Sequence, residues 1–111
     1  MEDPEKAGEI ARALDKMWVR FLPEIRERVA ILESAAAAFT AYELAASERE
    51  AAHAAAHKLA GVLGTFNLTR GTALAREIEV LYGGESGSGP SLGPHLAALV
   101  AELRAVVERR K

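Results

Sequence analysis

Two histidines, His53 and His57, lie four residues apart in the segment AHAAAHKLAGVLGTF, which spans residues 52–66. On a helix this spacing places both imidazoles on one face, where a ring nitrogen can bind a metal ion or act as a nucleophile. Gly61 and Gly64 follow within the same helical pattern, although a glycine in a helix interior costs about 1 kcal/mol relative to alanine. The combination indicates that a reactive side chain and an open backbone surface share one stretch of helix.

A helical wheel at about 100° per residue separates the two faces of this helix. One stripe is predicted to face the core: Ala52, Ala55, Ala56, Leu59, Leu63 and Phe66. His57 lies about 150° from the middle of that stripe and is predicted to point into solvent. Its neighbours on the wheel are His53, Ala60, Gly61 and Gly64. We therefore predict a strip of bare backbone beside the imidazole, where a partner surface can come close.

The following helix carries a candidate partner for His57. Its periodic residues Leu74, Ile78 and Leu81 are predicted to face the core, which leaves Glu79 about 100° or more to one side. If the two helices are antiparallel neighbours, Glu79 can reach the imidazole. A carboxylate that accepts a hydrogen bond from one ring nitrogen fixes the tautomer and leaves the other nitrogen free as a nucleophile. We therefore predict that Glu79 orients His57.

The first part of the chain supplies the helices that must support this pair. Apolar residues recur at three- and four-residue spacing over residues 10–39, which predicts a helical stretch. Pro23 lies inside it and is predicted to divide it, because proline removes a backbone hydrogen bond and clashes with the preceding turn. We expect a short first helix and a long second helix that ends near Ala38.

The third helix is predicted to begin at one of two capping-box patterns, Thr40 with Glu43 or Ser47 with Glu50, and we favour Ser47. The later boundaries are its end near Gly64 or Phe66, a fourth helix over about residues 68–82, a flexible loop over residues 83–93 and a last helix from Pro94. No segment reads as a strand. The prediction is an all-α fold, an antiparallel four-helix bundle with an additional N-terminal helix, in a single domain over residues 1–111.

Composition excludes several classes of function. The net charge of −2 gives no basic field for nucleic acid, and no window is apolar enough to span a membrane. The acidic, polar N-terminus does not resemble a signal peptide, and the chain has no cysteine for a disulfide or a thiolate metal site. We expect a cytoplasmic protein that binds neither nucleic acid nor membrane.

The segment HKLAGVLGTF, residues 57–66, resembles the signature of histidine-containing phosphotransfer (HPt) domains. The similarity is to the form found in chemotaxis-type histidine kinases, and the histidine, the two glycines and the Thr-Phe pair fall in register with it. The rest of the chain is similar to the family in architecture, a bundle with the histidine on its second helix.

The resemblance implies that His57 is phosphorylated on Nε2 by a histidine kinase or a receiver-domain aspartyl phosphate, and that it passes the phosphoryl group to a receiver aspartate. It also implies that Gly61 gives the receiver clearance and that Glu79 hydrogen-bonds Nδ1 of His57. Such a phosphocarrier has no kinase activity and needs no cofactor of its own, since the receiver brings Mg²⁺. The sequence contains no Gly-rich nucleotide-binding loop, which agrees with this expectation.

The chain departs from the family signature at two positions. Ala60 stands where the family commonly has a lysine near the phosphoryl oxygens, and Asn67 stands where a glycine is expected. Lys58, about 100° round the helix from His57, is the predicted phosphoryl contact in its place. Arg76 is a further candidate for electrostatic help, by position. We expect Asn67 to cap the following helix.

Two other functions stay open at this point. His53 and His57 could form a metal pair, which Glu50 or Glu79 would have to complete because residues 54–56 are all alanine. Alternatively, the strip of small residues could dock a partner helix as a non-catalytic interaction module.

Two aromatic residues near the N-terminus, Trp18 and Phe21, bear on oligomeric state. Core packing is the preferred interpretation for both, and contact between copies of the chain is the alternative. We expect a monomer.

Overall fold

The computed structural model describes residues 4–83 and 92–110, which contain four helices. These are α1 (Pro4–Thr40), α2 (Ala46–Thr65), α3 (Thr69–Gly83) and α4 (Leu92–Arg109). The described residues include no strand, so the prediction of an all-α fold is confirmed. The loop predicted over residues 83–93 falls mainly on residues 84–91, outside the described residues; at its two ends the prediction is wrong, because Gly83 ends α3 and Leu92 and Gly93 begin α4. The single domain over residues 1–111 stays a prediction.

The four helices pack as an antiparallel bundle. Each helix packs against two others, in the pairs α1–α2, α2–α3, α3–α4 and α4–α1, so the chain order is also the order around the bundle. The direction of the α1–α4 pair is set by Arg26, which lies beside Glu108, and by Glu33, which lies beside Arg104. Residue numbers therefore increase along α1 in the direction in which they decrease along α4. The two helices are antiparallel, as an up-down bundle requires.

The prediction of a separate N-terminal helix is wrong, because α1 is one continuous helix of 37 residues that includes Pro23. Pro23 has no amide to donate to the carbonyl of Val19, but both residues lie on the exposed side of the helix, where water can hydrate that carbonyl. The buried residues Trp18 and Ile25 lie on the core side on either side of the proline. Packing on both sides of Pro23 therefore holds one helix together.

The core consists of apolar side chains from all four helices, most of them aliphatic. The largest fully buried ones are Trp18, Ile25, Leu32, Leu59, Leu63, Leu74, Ile78, Leu96, Leu103, Val29, Val100 and Val107. Burial of each such aliphatic side chain stabilises the fold by about 1.5–3 kcal/mol. No helix within residues 4–83 and 92–110 has the length and hydropathy of a membrane crossing.

Aromatic rings pack together at the end of the bundle where α2 ends. Trp18 and Phe66 pack edge to face with their centroids 5.1 Å apart, and Phe21 lies 6.5 Å from Phe66. The guanidinium of Arg110 lies 5.0 Å from the centre of the Trp18 ring. Trp18 is therefore a core residue, as the preferred interpretation expects.

A tight turn joins α2 to α3 and fixes their register. The amide of Leu68 donates to the carbonyl of Leu63 at 2.9 Å, and the amide of Asn67 donates to Gly64 at 3.1 Å. Asn67 has φ 58°, the left-handed conformation that ends many helices and that favours glycine or asparagine. Asn67 therefore terminates α2, and the expectation that it caps the following helix is wrong. This role explains why glycine would also fit there.

The start of α2 also differs from the sequence-based expectation. Ala45, not Ser47, is the residue before the first turn, and its amide donates to the carboxylate of Glu48 at 3.3 Å. Glu48 can act this way because a glutamate three residues into a helix reaches back to the capping residue. Half of a capping box is enough here to begin the helix two residues early.

Candidate functional site

The imidazole of His57 projects outward from α2. The side chain of His57 is 73% exposed, whereas Ala56 and Leu59 on the opposite face are fully buried. The residues that the wheel assigns to the core are all buried: Ala52, Ala55, Ala56, Leu59 and Leu63 within α2, and Phe66 just after its end. The predicted exposure of His57 is therefore confirmed.

Glu79 on α3 holds one nitrogen of this imidazole. Nδ1 of His57 lies 2.7 Å from Oε2 of Glu79, whose side chain is only 22% exposed. A carboxylate can only accept a hydrogen bond, so Nδ1 carries the proton and donates it. In the neutral form of the imidazole, Nε2 then has the lone pair and no proton. In that form the arrangement presents an oriented nucleophile to the solvent side of the bundle.

His53 lies on the other side of the same carboxylate. Its Nε2 is 3.8 Å from Oε2 of Glu79, and the side chain is 45% exposed. Its ring covers the end of α3, where a Cβ at Gly83 would lie 2.8 Å from Nε2. The sequence pattern did not indicate this contact, because it depends on how far α3 extends. Glu79 thus stands between two imidazoles one helical turn apart.

The arrangement gives no support to a metal site. Within residues 4–83 and 92–110, no group of three or more histidine or acidic side chains is placed to hold a metal ion. Glu50 lies on α2 one turn before His53, but it does not join Glu79 in such a group. The geometry instead fits a carboxylate that orients a histidine.

The end of α3 beside His53 is fixed by Arg49, whose Nε donates to the carbonyl of Tyr82 at 3.1 Å. Burial raises the pKa of the Tyr82 hydroxyl to about 12, with a small opposing effect from the charge of Arg49. Tyr82 is therefore neutral at physiological pH and serves as a packing residue. It adds no charge to the His53–Glu79–His57 group.

The glycines beside His57 leave open backbone. Gly61 and Gly64 are both exposed, and a Cβ added to Gly61 would meet nothing within 4 Å. Ala60, in contrast, is 6% exposed, so its predicted place in the exposed strip is wrong. The reason is the close packing of α3, because the hydroxyl of Thr72 donates to the carbonyl of Ala60 at 3.2 Å. The bare surface consists of Gly61 and Gly64.

Two exposed cations, one on α2 and one on α3, are not held by another side chain in the described residues. Lys58 and Arg76 are both exposed, and neither forms an ion pair or hydrogen bond in the described part of the chain. Lys58 follows His57 on α2, so its side chain leaves the helix about 100° away from the imidazole. Arg76 lies on α3, one turn before Glu79. Both remain available to an anion at His57.

The site therefore combines an outward nucleophilic imidazole, a carboxylate that fixes its tautomer and an unobstructed backbone surface. The family model described as "Hpt domain" matches residues 16–109. The chain belongs to the Hpt domain family. Hpt domains are phosphocarrier modules that act with histidine kinases and receiver domains, so this chain functions in histidine phosphotransfer of a two-component phosphorelay.

A relative supports the assignment to the Hpt family. The chain is 32% identical over 91 residues to Protein RcaC of Microchaete diplosiphon. The match covers 82% of this chain but 14% of the relative, so the chain corresponds to a small part of that protein. No solved structure matches the chain.

Proposed function

We propose that His57 is the phosphorylated residue of this Hpt domain. The observation that carries the proposal is the 2.7 Å contact between Nδ1 of His57 and Glu79, with Nε2 left free on a largely exposed ring. A phosphoacceptor needs this combination, because phosphoryl transfer depends on positioning and charge neutralisation more than on covalent work by the protein.

In the transfer step, the lone pair of Nε2 attacks the phosphorus of an aspartyl phosphate on a receiver domain. The N–P bond forms as the bond from phosphorus to the aspartate oxygen breaks, and the aspartate leaves as a carboxylate. No proton has to leave Nε2, because Nδ1 carries the ring proton. The ring becomes positively charged, and the carboxylate of Glu79 stabilises it through the Nδ1 hydrogen bond. The reverse reaction delivers the phosphoryl group to a second receiver.

The receiver domain docks over the open surface of Gly61 and Gly64, with His53 at its edge. Lys58 contributes positive charge next to the incoming phosphoryl group. Mg²⁺ is supplied by the receiver, and the chain itself needs no cofactor and catalyses no phosphorylation by a nucleotide. We further propose that the protein acts as a monomer in the cytoplasm, where a histidine kinase and receivers are available to it.

The test is transfer from a phosphorylated receiver domain to the wild type, to His57→Gln and to His95→Gln. His95 is the matched control, because it is also exposed and lies 3.6 Å from a carboxylate, that of Glu77. We expect acid-labile, base-stable phosphate on the wild type and on His95→Gln, and none on His57→Gln. Undiminished labelling of His57→Gln would remove His57 from this role. An unlabelled wild type would favour the interaction-module alternative.

A further inference from the structure

Arg76, with Arg12 and Arg20 in the first half of α1, is one of three arginines of the described residues that form no ion pair or hydrogen bond. From residue 26 onward, the other arginines of the described residues each have a carboxylate or carbonyl partner: Arg26, Arg28, Arg49, Arg70, Arg104, Arg109 and Arg110. Arg76 has neither a hydrogen bond nor an ion pair within the described residues. A carboxylate three or four residues away on the same helix can pair with such a guanidinium.

The position of Glu79 explains why Arg76 has no partner. Glu79 lies three residues after Arg76 on α3, where the two side chains could meet. Its Oε2, however, lies 2.7 Å from Nδ1 of His57 and 3.8 Å from Nε2 of His53. The carboxylate is thus directed across to α2, and the positive charge of Arg76 is left beside the His57–Glu79 pair.

The register of α2 and α3 places Arg76 opposite Ala60 and Gly61. Glu79 faces His57, and Thr72 contacts Ala60 and lies 3.5 Å from the Cβ position of Gly64. Arg76 lies between Glu79 and Thr72, about one turn from each. Ala60 offers only a buried methyl group and Gly61 has no side chain, so α2 presents nothing bulky between Arg76 and the outer edge of His57.

We infer that Arg76 binds the phosphoryl group carried by His57; this inference rests on the proposed function of His57. A phosphoryl group on Nε2 brings about two negative charges to the surface. A guanidinium binds two phosphate oxygens at once through parallel N–H donors, and it stays charged at every physiological pH. Lys58 is the weaker candidate, because it leaves α2 on a different side of the helix and does not border the α2–α3 groove.

The experiment uses phosphoramidate as a small phosphoryl donor, so that receiver docking does not enter the measurement. The rate of His57 phosphorylation is compared for the wild type, Arg76→Gln, Arg76→Lys, Lys58→Gln and Arg70→Gln. Arg70 is the matched control, because it is an exposed arginine on α3 that pairs with Glu102 of α4. The Nε–H resonance of Arg76 is recorded before and after phosphorylation of the wild type.

Arg76→Gln is expected to phosphorylate about fivefold more slowly, a factor that corresponds to about 1 kcal/mol. Arg76→Lys should recover at least half of the lost rate, Lys58→Gln should lose less than Arg76→Gln, and Arg70→Gln should match the wild type. The Arg76 Nε–H resonance should shift on phosphorylation. If the wild type is labelled but Arg76→Gln reacts at the same rate, or Arg70→Gln slows equally, the Arg76 inference is overturned while His57 keeps its role. An unlabelled wild type overturns both.

Discussion

The imidazole of His53 occupies the space that a side chain on residue 83 would need. A Cβ at Gly83 would lie 2.8 Å from Nε2 of His53 and 2.9 Å from its Cδ2, closer than real Cβ contacts come. The same Nε2 lies 3.8 Å from the carboxylate of Glu79. The absence of a side chain at Gly83 therefore lets a second imidazole stand beside the carboxylate that orients His57.

Gly83→Ala is therefore expected to displace the His53 ring and change its NMR resonances. Displacement of the ring should offset the gain that alanine brings in place of glycine, which at this last residue of α3 is below the value of about 1 kcal/mol for a helix interior. A double-mutant cycle checks the cause, since Gly83→Ala in a His53→Ala background should stabilise the fold against urea. Equal stability changes in both backgrounds would show that His53 and residue 83 do not interact.

Substitutions at Gly61 should affect the stability of the fold and the docking of a receiver in different ways. Gly61→Ala is expected to raise the free energy of unfolding by up to about 1 kcal/mol, because a Cβ there meets nothing within 4 Å. Gly61→Leu should slow transfer from a phosphorylated receiver at least tenfold, because the larger side chain fills the approach to His57. Ala98→Leu, at an exposed position on α4, is the matched control. Transfer to Gly61→Leu at the wild-type rate would rule out docking over this surface.

Loss of charge at Glu79 should slow phosphorylation of His57. Glu79→Gln keeps the size of the side chain but removes the negative charge that stabilises the ring after Nε2 has reacted. We expect the rate with phosphoramidate to fall about tenfold, or about 1.4 kcal/mol in the barrier. Glu77→Gln, two residues away and beside His95, controls for charge on α3. An equal decrease in the two variants would argue against a specific role for Glu79.

The ion pair between Glu33 and Arg104 should make the α1–α4 contact sensitive to acid. Arg104 donates two hydrogen bonds of 2.7 Å to Glu33, and these hold the pKa of Glu33 below its usual 4.5. The stabilisation is fully present above pH 4.5 and is lost as the pH falls through the lowered pKa. Both side chains are partly exposed, so the contribution is about 0.2–1 kcal/mol.

Glu33→Gln tests this contribution through thermal unfolding at neutral pH and at pH values well below 4.5. The variant should be less stable than the wild type at neutral pH, and the difference should vanish in acid. Glu27→Gln on the same helix provides the control, because Glu27 forms no ion pair in the described residues. If Glu33→Gln is still less stable than the wild type at low pH, the ionised pair is not the cause of the difference in stability.

The sequence was sufficient to predict the exposure of His57, because helical periodicity alone decides the orientation of this side chain. His57 lies opposite the buried stripe of α2, and Glu79 reaches it because the short turn after α2 allows one antiparallel register. Ala60 was misplaced because a wheel angle does not reveal which edge of a helix its neighbour covers. The covering helix is α3, through Thr72.

The errors in the helix boundaries have two different causes. Pro23 predicts a break from local backbone chemistry, but tertiary packing of Trp18 and Ile25 outweighs it. The start of α2 depends on Glu48 reaching back to Ala45, and a serine nearby gives a stronger but misleading pattern. The first error thus arises from tertiary packing, whereas the second arises from a local hydrogen bond between residues three apart.

Phe66 packs edge to face on Trp18 and so belongs to the core. Residues 57–66, which carry the HPt signature, therefore form two sets, one buried and one exposed. Leu59, Leu63 and Phe66 are buried and hold the bundle together, while His57 and Gly61 are exposed on the outside. A chain can therefore keep most of the family signature and still lose the ability to transfer phosphate. A chain that kept the inward set and lost only the imidazole would still fold and dock, and would act as a decoy that occupies receivers without exchanging phosphate.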